Sequence, residues 1–437
     1  MKETIIKLAE SLQNELVTTR RDLHRHAEAA WTEFRTASIV AERLESYGYK
    51  VLVGEEIVDE RSMMGVPSKE ELAKHMERAK TQGAPLKYLQ KMAGGKTGVA
   101  GILDTGKPGP VVALRFDMDC NDLHESTSSE HRPAQEGFAS INPGAMHACG
   151  HDGHTSIGLG VAKVLATIQG ELSGVIKLIF QPGEEGVRGA ASMVSKGIVD
   201  DVDYLIGGHL GFQADRNGDI ICGIGGFLAT SKFDAVFKGL AAHAGARPEE
   251  GKSALLAAAA ATLALQGIYR HSAGASRINI GVLQAGTGRN VVPDSALMKI
   301  ETRGATSEID AFIKKEAVRM IKASAAMYDV EVAIQDSGGA MSGESDPEII
   351  SVTKETAQAL GIFDNIIDRK TLGGSEDFSY FMDRVQKRGG KAGYLMLGAG
   401  IAAGHHDACF DFDETVLSKG VALFSSMVYR LGKQGPS

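Results

Sequence analysis

The first 224 residues alternate between apolar runs and amphipathic stretches, a pattern expected of strands and helices packed in layers. Leu and Ala recur at helical spacing over residues 3–47, and Gly48 follows as a helix stop. Residues 155–168 and 189–197 are predicted helices on the same grounds. Buried strands are predicted at four apolar runs, GVAGILD, PVVALRFDMD, GVIKLIFQP and VDYLIGGHL. The alternation predicts an α/β fold with a sheet covered by helices.

The order of elements changes near residue 225. A strand, an Ala-rich helix over 252–269, two strands, a helix over 307–327 and a last strand follow one another. This β-α-β-β-α-β order is typical of a ferredoxin-like α+β domain. Helix and strand alternate again from about residue 340. We therefore predict a discontinuous first domain, 1–224 and 339–437, interrupted by an inserted second domain at 225–338.

Length, charge and cysteine usage narrow the class of protein. A chain of 437 residues exceeds what one core normally organises, which also favours two domains. The formal net charge is -8 and no basic stripe is present, so neither nucleic acid nor a membrane surface is an expected partner. The chain start lacks the apolar core of a signal peptide, and no run is long enough to cross a bilayer. Four widely spaced cysteines argue against a disulfide framework. Together these features predict a cytoplasmic protein.

The loop MHACGHDGH, residues 146–154, concentrates side chains that bind transition metals. Packed cores rarely need so many titratable groups side by side. Cys149 and His151 lie close enough in sequence to reach one metal ion, which would hold the cysteine as a thiolate. Asp152 is expected to cap the helix that follows. His147 and His154 are open between supporting the ligands and simple packing.

Further donors follow the ends of apolar strands, where open α/β sheets place their chemistry. QPGEEG carries Glu184 and Glu185, VDYLIGGHL ends close to His209, and a glycine-flanked loop carries His405 and His406. One glutamate can bind metal while the other stands beside a water molecule. A lone histidine such as His209 is usually a packed residue, but beside these donors ligation is the better interpretation. About five ligands exceed the four of a tetrahedral zinc, so two metals are expected.

Such a site suits amide hydrolysis. A metal lowers the pKa of bound water, polarises a carbonyl and stabilises the tetrahedral oxyanion. A nearby carboxylate takes the proton of the water and returns it to the leaving amine. Thiolate, imidazole and carboxylate together suit zinc, manganese and other divalent ions, so the metal is left open.

Taken together, these residues resemble a known family, the metal-dependent amidohydrolases that include hippurate hydrolase, indole-acetyl-amino-acid hydrolases and carboxypeptidase-like enzymes. The motifs that carry the resemblance are, in order, MHACGHD, QPGEEG, GGHL, AAHAG, RNVVPD and GGSEDFSYF. The resemblance runs from RRDLHRHAE at Arg20 onward and implies a mixed-sheet, metallopeptidase-like catalytic domain with an inserted lid and dimerisation domain. The charged insert at 60–95 and EHRPAQEGFASINPGAMHACGHD are similar to a branch that acts on p-aminobenzoyl-glutamate.

The resemblance also implies roles for single residues. The implied ligands of two divalent ions, Mn or Zn, are Cys149, His151, Glu185, His209 and His406. Glu184 is the implied general base. His405 is the alternative to His406, because the family usually has a proline shortly after its last histidine and this chain reads Asp407-Ala408-Cys409 there. His243 and Asn290 of the inserted domain would stabilise the oxyanion, supplied by the partner subunit of a dimer.

The expected reaction is hydrolysis of p-aminobenzoyl-glutamate to p-aminobenzoate and glutamate. Arg289 and Arg303 are candidates to bind the substrate carboxylates, although most arginines are solvated or in surface pairs. Glu376 and Asp377 either order the site or cap the helix after them. The alternatives are a broader N-acyl-amino-acid hydrolase and a metal-binding, non-catalytic subunit of a heteromeric hydrolase. Homodimer and heterodimer both stay open.

Overall fold

The computed structural model describes residues 1–433, which form two compact units. The first unit comprises Met1–Gly225, Gly343–Leu372 and the chain from Asp377 onward. The second comprises Gly226–Ser342 together with the short return segment Gly373–Glu376. Within residues 1–433, no helix combines the length and the apolar composition needed to cross a bilayer.

The helices and strands of both units are numbered in chain order. The helices are α1 (Lys2–Ser11), α2 (Gln13–Arg25), α3 (Phe34–Ser46), α4 (Lys69–Thr81), α5 (Leu86–Leu89), α6 (Arg132–Gln135), α7 (His151–Thr167), α8 (Ala190–Ser195), α9 (Ala254–Gln266), α10 (Ser307–Met327), α11 (Pro347–Leu360), α12 (Phe378–Lys387) and α13 (Val416–Leu431). The strands are β1 (Lys50–Val53), β2 (Val99–Asp104), β3 (Val111–Asp117), β4 (Val175–Gln181), β5 (Tyr204–Leu210), β6 (Asp219–Ile221), β7 (Ile224–Gly225), β8 (Ala229–Lys238), β9 (Ser276–Ala285), β10 (Ser295–Gly304), β11 (Glu331–Ala340), β12 (Asn365–Ile367), β13 (Lys370–Thr371) and β14 (Lys391–Leu397).

The first unit is built on a mixed eight-stranded sheet in the order β1-β2-β4-β3-β5-β14-β6-β12. The neighbours β4, β3, β5 and β14 run parallel to one another, whereas β2 and β6 run antiparallel to this block. Leu178, Ile179 and Phe180 of β4 are all fully buried, as expected for a parallel strand covered on both faces. The mixed α/β fold predicted from the sequence is thereby confirmed. Its four parallel strands end at one edge, where the predicted donors follow.

The helical region predicted over 3–47 is divided into three helices, and the second break is the wider one. Residues 26–33 leave the helix between α2 and α3, and Trp31 adopts a left-handed backbone with φ 67°. The Trp31 ring is fully buried and donates from Nε1 to the Met64 carbonyl at 2.8 Å. Gly48, with φ 87°, follows α3 as predicted, since glycine adopts this conformation without strain.

The second unit is a four-stranded antiparallel sheet in the order β11-β8-β10-β9 with α9 and α10. Its element order is β-α-β-β-α-β, as the sequence pattern predicts. The core joins the large rings of Phe233 and Phe237 to the small Ala257, Ala258 and Ala261 of α9, all fully buried. The return segment belongs to this unit because the Leu228 amide donates to the Gly374 carbonyl at 2.8 Å. That segment lies outside the predicted range 225–338.

A buried ion network ties distant segments of the first unit together. Arg20 of α2 is fully buried and pairs with Asp152 at 2.8 Å, with Asp411 at 2.9 Å and with Glu414 at 3.3 Å. Beside it, the His24 ring lies 2.9 Å from both Asp152 and Glu125. Burial lowers the pKa of His24, but these carboxylates outweigh burial and raise it overall. The network joins α2 to the start of α7 and to the loop before α13.

Removing Arg20 should therefore be far more damaging than removing an exposed arginine. Arg20→Met leaves three buried carboxylates without their main counter-charge, which typically costs about 3–5 kcal/mol of unfolding free energy. The matched control is Arg61→Met, because the Arg61 side chain is 88% exposed and pairs only with Asp59 at 2.9 Å in the described chain. Urea denaturation should show a large fall in midpoint for Arg20→Met and almost none for Arg61→Met. Equal effects would contradict the role given to the network.

Candidate active site

The predicted donors meet at the carboxyl edge of the parallel strands in the first unit. The strand β3 ends at Asp117, β4 leads into Glu184 and Glu185, and β5 carries His209 near its end. The helix α7 begins at His151, four residues before its predicted start at 155. Its first residues thereby hold part of the metal-binding loop at the same edge as the strand ends.

The five side chains implied as ligands, and the implied base, lie within one cluster. The Cys149 Sγ is 3.4 Å from His209 Nε2, and His406 Nε2 is 3.4 Å from Glu185 Oε1. His151 Nε2 lies 3.9 Å from Glu184 Oε2 and 4.0 Å from Glu185 Oε1. Three overlapping groups have all their donor atoms within 4.8 Å of one another: Cys149, His151 and His209; Cys149, Glu185 and His406; and His151, Glu184 and Glu185. A fourth group, not foreseen as a ligand set, is Asp117, His151 and His154.

The two adjacent histidines near the C-terminus occupy different surroundings. His406 is 57% exposed, belongs to a donor group and donates its amide to the Ala148 carbonyl at 2.8 Å. The His405 ring instead stacks on Phe212, and its Nε2 lies 3.1 Å from the Leu210 carbonyl. Burial lowers the pKa of His405 to about 4. The geometry thus places His406, rather than His405, among the possible ligands.

The donor set fits a divalent metal ion. Thiol, imidazole and carboxylate are the side chains that zinc and neighbouring metals prefer. Among residues 1–433, His151 Nε2 and Glu185 Oε1 are buried without a hydrogen-bond partner. Buried polar atoms normally have one, because leaving them unpaired costs free energy. A cation held by these atoms would satisfy both.

The electrostatics of the cluster explain how tightly metal and protons compete for it. Burial lowers the pKa of His151, but Asp117, Asp119 and Glu185 outweigh it and raise the pKa to about 10. Burial raises the pKa of the Cys149 thiol well above its usual range, and the charges of Glu185 and Glu184 raise it further. Without metal, the site therefore holds a thiol and an imidazolium at neutral pH.

Two buried carboxylates hold the loop that presents the glutamate pair. Asp119 accepts from the amide of Glu184 at 3.0 Å and from that of Glu185 at 2.8 Å. Glu33 accepts from the Gly183 amide at 2.8 Å and from the Thr97 hydroxyl at 2.7 Å. Burial, and then the nearby charge of Asp119, raise the pKa of Glu33 to about 8. The sequence carried a signal for Asp119 in the DMD run after β3, but none for Glu33.

The remaining residues of the MHACGHDGH loop take supporting positions. Gly150, not Asp152, is the N-cap of α7, and the expected cap at Asp152 is wrong because its carboxylate is engaged by Arg20 and His24. His154 lies with Nδ1 2.5 Å from Asp117 Oδ1, and its Nε2 accepts from the Leu210 amide at 2.9 Å. His147 is buried, and burial lowers its pKa to about 3.

Asp377 holds a neighbouring helix instead of its own. It stands at the N-cap of α12, yet its side chain makes no capping bond there. The carboxylate accepts from the amides of Gly189 at 3.1 Å and Ala190 at 2.9 Å, which begin α8. Its partners also include Gln181, whose Nε2 donates to it at 2.8 Å.

The second unit brings its two implied oxyanion residues together. The Ala244 amide donates to the Asn290 carbonyl at 3.0 Å, and His243 pairs with Val291 in an isolated antiparallel bridge. His243 Nδ1 accepts from the amides of Gly245 at 3.2 Å and Ala246 at 3.1 Å. The ring proton therefore sits on Nε2, which leaves that atom as a donor.

The two arginines considered for substrate carboxylates differ in their surroundings within the second unit. Arg289 is exposed and adjoins Asn290 in the sequence. Arg303, in β10, pairs with Glu301 at 3.1 Å. Arg289 thus has the simpler access to a new carboxylate, since Arg303 would have to exchange a partner.

Comparison with known proteins gives one family and several near relatives. The profile described as peptidase family M20/M25/M40 matches residues 113–430. An indole-3-acetyl-aspartic acid hydrolase from Enterobacter agglomerans is 51% identical over 93% of both chains. A chain of the p-aminobenzoyl-glutamate hydrolase of Escherichia coli (strain K12), named as one of its subunits, is 50% identical over 96% of both chains.

A solved structure supports the same relationship at the level of the fold. The aminobenzoyl-glutamate utilization protein from Klebsiella pneumoniae superposes with a TM-score of 0.86 at 42% sequence identity. The match covers 98% of this chain and 99% of that protein. Both units therefore have counterparts in a protein of nearly equal length.

Metal loading should release protons, and metal affinity should rise with pH. Coordination needs a thiolate at Cys149 and a neutral Nε2 at His151, whereas the metal-free protein holds a proton on each. Titration calorimetry with Zn²⁺ at pH 7, in buffers of different ionisation enthalpy, should report release of about two protons. Cys149→Ser should release about one fewer and retain less metal on elemental analysis. Unchanged metal content in that variant would remove Cys149 from the ligands.

Proposed function

The chain belongs to peptidase family M20/M25/M40, and from that premise we propose that it hydrolyses p-aminobenzoyl-glutamate to p-aminobenzoate and glutamate. It is a metal-dependent hydrolase that acts on amides. The observation that carries the substrate is the 50% identity, over 96% of both chains, to a hydrolase named for that substrate. The candidate site supports the reaction class, since it pairs a metal-binding cluster with a further carboxylate.

The proposed chemistry divides between the metal and this chain's own side chains. A divalent ion bound here supplies Lewis acidity, which activates water and polarises a carbonyl. Glu184 takes the proton of the attacking water and returns it to the leaving amine. Asp119 supports this role by holding the Glu184 amide at 3.0 Å, which fixes the backbone of the base.

Two divalent ions, Mn or Zn, are proposed as the cofactor. Cys149, His151, Glu185, His209 and His406 offer five donors, more than one tetrahedral ion takes, so a pair of ions sharing a ligand suits them better. His406 is proposed over His405 because only His406 joins a donor group in the described residues.

The oxyanion is proposed to form opposite His243 and Asn290. With its proton on Nε2, neutral His243 can donate a hydrogen bond, and the Asn290 side chain can donate another. We further propose that these residues act on the site of a partner protomer, in a homodimer or in a heterodimer with a related chain. Exposed apolar side chains of the second unit support an interface, among them Leu263 at 78%, Leu256 at 48% and Leu283 at 45%.

A second candidate substrate is indole-3-acetyl-aspartate. The hydrolase named for it is 51% identical to this chain, which does not separate it from the first candidate. Both candidates join an aromatic acyl group to an amino acid with a second carboxylate. Arg289 and Arg303 are proposed to bind the carboxylates, since guanidinium groups match them in shape and charge.

Glu184→Gln tests the general base. The amide keeps the shape of the side chain but cannot accept a proton, so kcat should fall by roughly 10²–10⁴-fold while metal content and thermal midpoint stay near wild type. Glu185→Gln is the matched control at the adjacent position, and it should lose metal as well as activity. Near wild-type turnover by Glu184→Gln would show that the base lies elsewhere.

A substrate panel tests specificity and the two alternatives. The lone chain, loaded with Mn²⁺ or Zn²⁺, should hydrolyse p-aminobenzoyl-glutamate and indole-3-acetyl-aspartate in preference to p-aminobenzoyl-glycine and p-aminobenzoyl-alanine. A hydrogen bond to a charged group contributes about 1.5–3 kcal/mol, so the preference should be about tenfold or larger. A preference for the neutral amino acids would favour the broader N-acyl-amino-acid hydrolase. Activity that appears only with a related partner chain, and that survives Glu184→Gln in this chain, would favour the non-catalytic role.

A further inference from the structure

Phe212 holds a backbone conformation that an aromatic residue rarely adopts. It follows the end of β5 with φ 53°, and it is one of five non-glycine residues with positive φ in the described chain. Glycine takes this conformation freely, whereas a side chain at this φ strains the backbone. The ring is nevertheless 40% exposed, so burial of its apolar surface is incomplete. Strain and exposure together point to a use for the ring other than packing.

The Phe212 ring is fixed directly beside the candidate metal cluster. It lies parallel to the His405 ring, with centroids 4.0 Å apart and planes inclined by 7°. Its edge contact with His209 has centroids 4.4 Å apart, and His209 Nε2 is 3.4 Å from Cys149 Sγ. His405 is held in turn by Phe410, with ring centroids 5.0 Å apart. The stack therefore presents a supported aromatic surface at the border of the cluster.

We propose that Phe212 binds the aromatic ring of the substrate's acyl group and so sets the preference for aromatic acyl conjugates. This inference rests on the proposed function. In a benzoyl amide the ring is joined by one bond to the carbonyl that must reach the metal-binding donors. A ring that contacts a candidate ligand such as His209 is consequently within reach of that acyl ring. Aromatic pairs gain from offset stacking or edge contact, which a saturated ring cannot supply.

The test compares two substrates of similar size that differ in aromaticity, benzoyl-glutamate and cyclohexanecarbonyl-glutamate. The measured quantity is the ratio of their kcat/KM values in metal-loaded protein. In Phe212→Ala and Phe212→Leu the ratio should fall about fivefold or more relative to wild type, in line with the strength of an aromatic pair. Phe212→Gly should lower the ratio equally without lowering the thermal midpoint, because glycine relieves the strained backbone.

Phe312→Ala is the matched control. Phe312 is 39% exposed and rests edge-on against His271, with ring centroids 5.3 Å apart, but it lies on α10 of the second unit. Its substitution should leave the ratio unchanged. If wild type hydrolyses both substrates and the Phe212 variants keep the wild-type ratio, this inference is overturned while the proposed function stands. If wild type hydrolyses neither, the proposed function fails and the inference fails with it.

Discussion

Negative charge gathered away from water is the condition that the rest of the first unit has to meet. Asp117 and Asp119 are fully buried, and Glu184 and Glu185 stand half-buried beside the Cys149 thiol. Like charges this close repel one another strongly unless cations or hydrogen-bond donors compensate them. The protein supplies backbone amides, the imidazolium of His151 and the fully buried Arg115, whose Nη1 lies 2.5 Å from Asp117. A divalent cation completes the compensation, which links metal binding to the stability of this edge.

A second set of charges keeps the ligand-bearing segments in place. Arg20 connects the start of α7, next to His151, with the loop that follows His406. The two segments are more than 250 residues apart in the sequence, so few local contacts could align them. The ion network thus has a positioning role for the site although none of its members is a proposed ligand.

The sequence predicts the part of this architecture that is written in local patterns. Apolar runs identified the buried strands, and the titratable residues after them identified the donors of the cluster. Glu33 could not be found in this way, because its contact with Gly183 depends on how the chain leaves the helix at residues 26–33. Asp152 misled the expectation of a helix cap, since its ion partners Arg20 and His24 lie far away in sequence. The choice between His405 and His406 also needed coordinates, because neighbouring residues of a loop point in directions that spacing does not determine.

Our central proposal is that Cys149, His151, Glu185, His209 and His406 form one dinuclear metal site. Anomalous diffraction from crystals loaded with Mn²⁺ or Zn²⁺ tests it directly, because the anomalous signal locates the ions independently of the protein atoms. We expect two neighbouring peaks surrounded by these five side chains, with Glu184 beside them and unligated. A single peak, or peaks held instead by Asp117 and His154, would contradict the proposal.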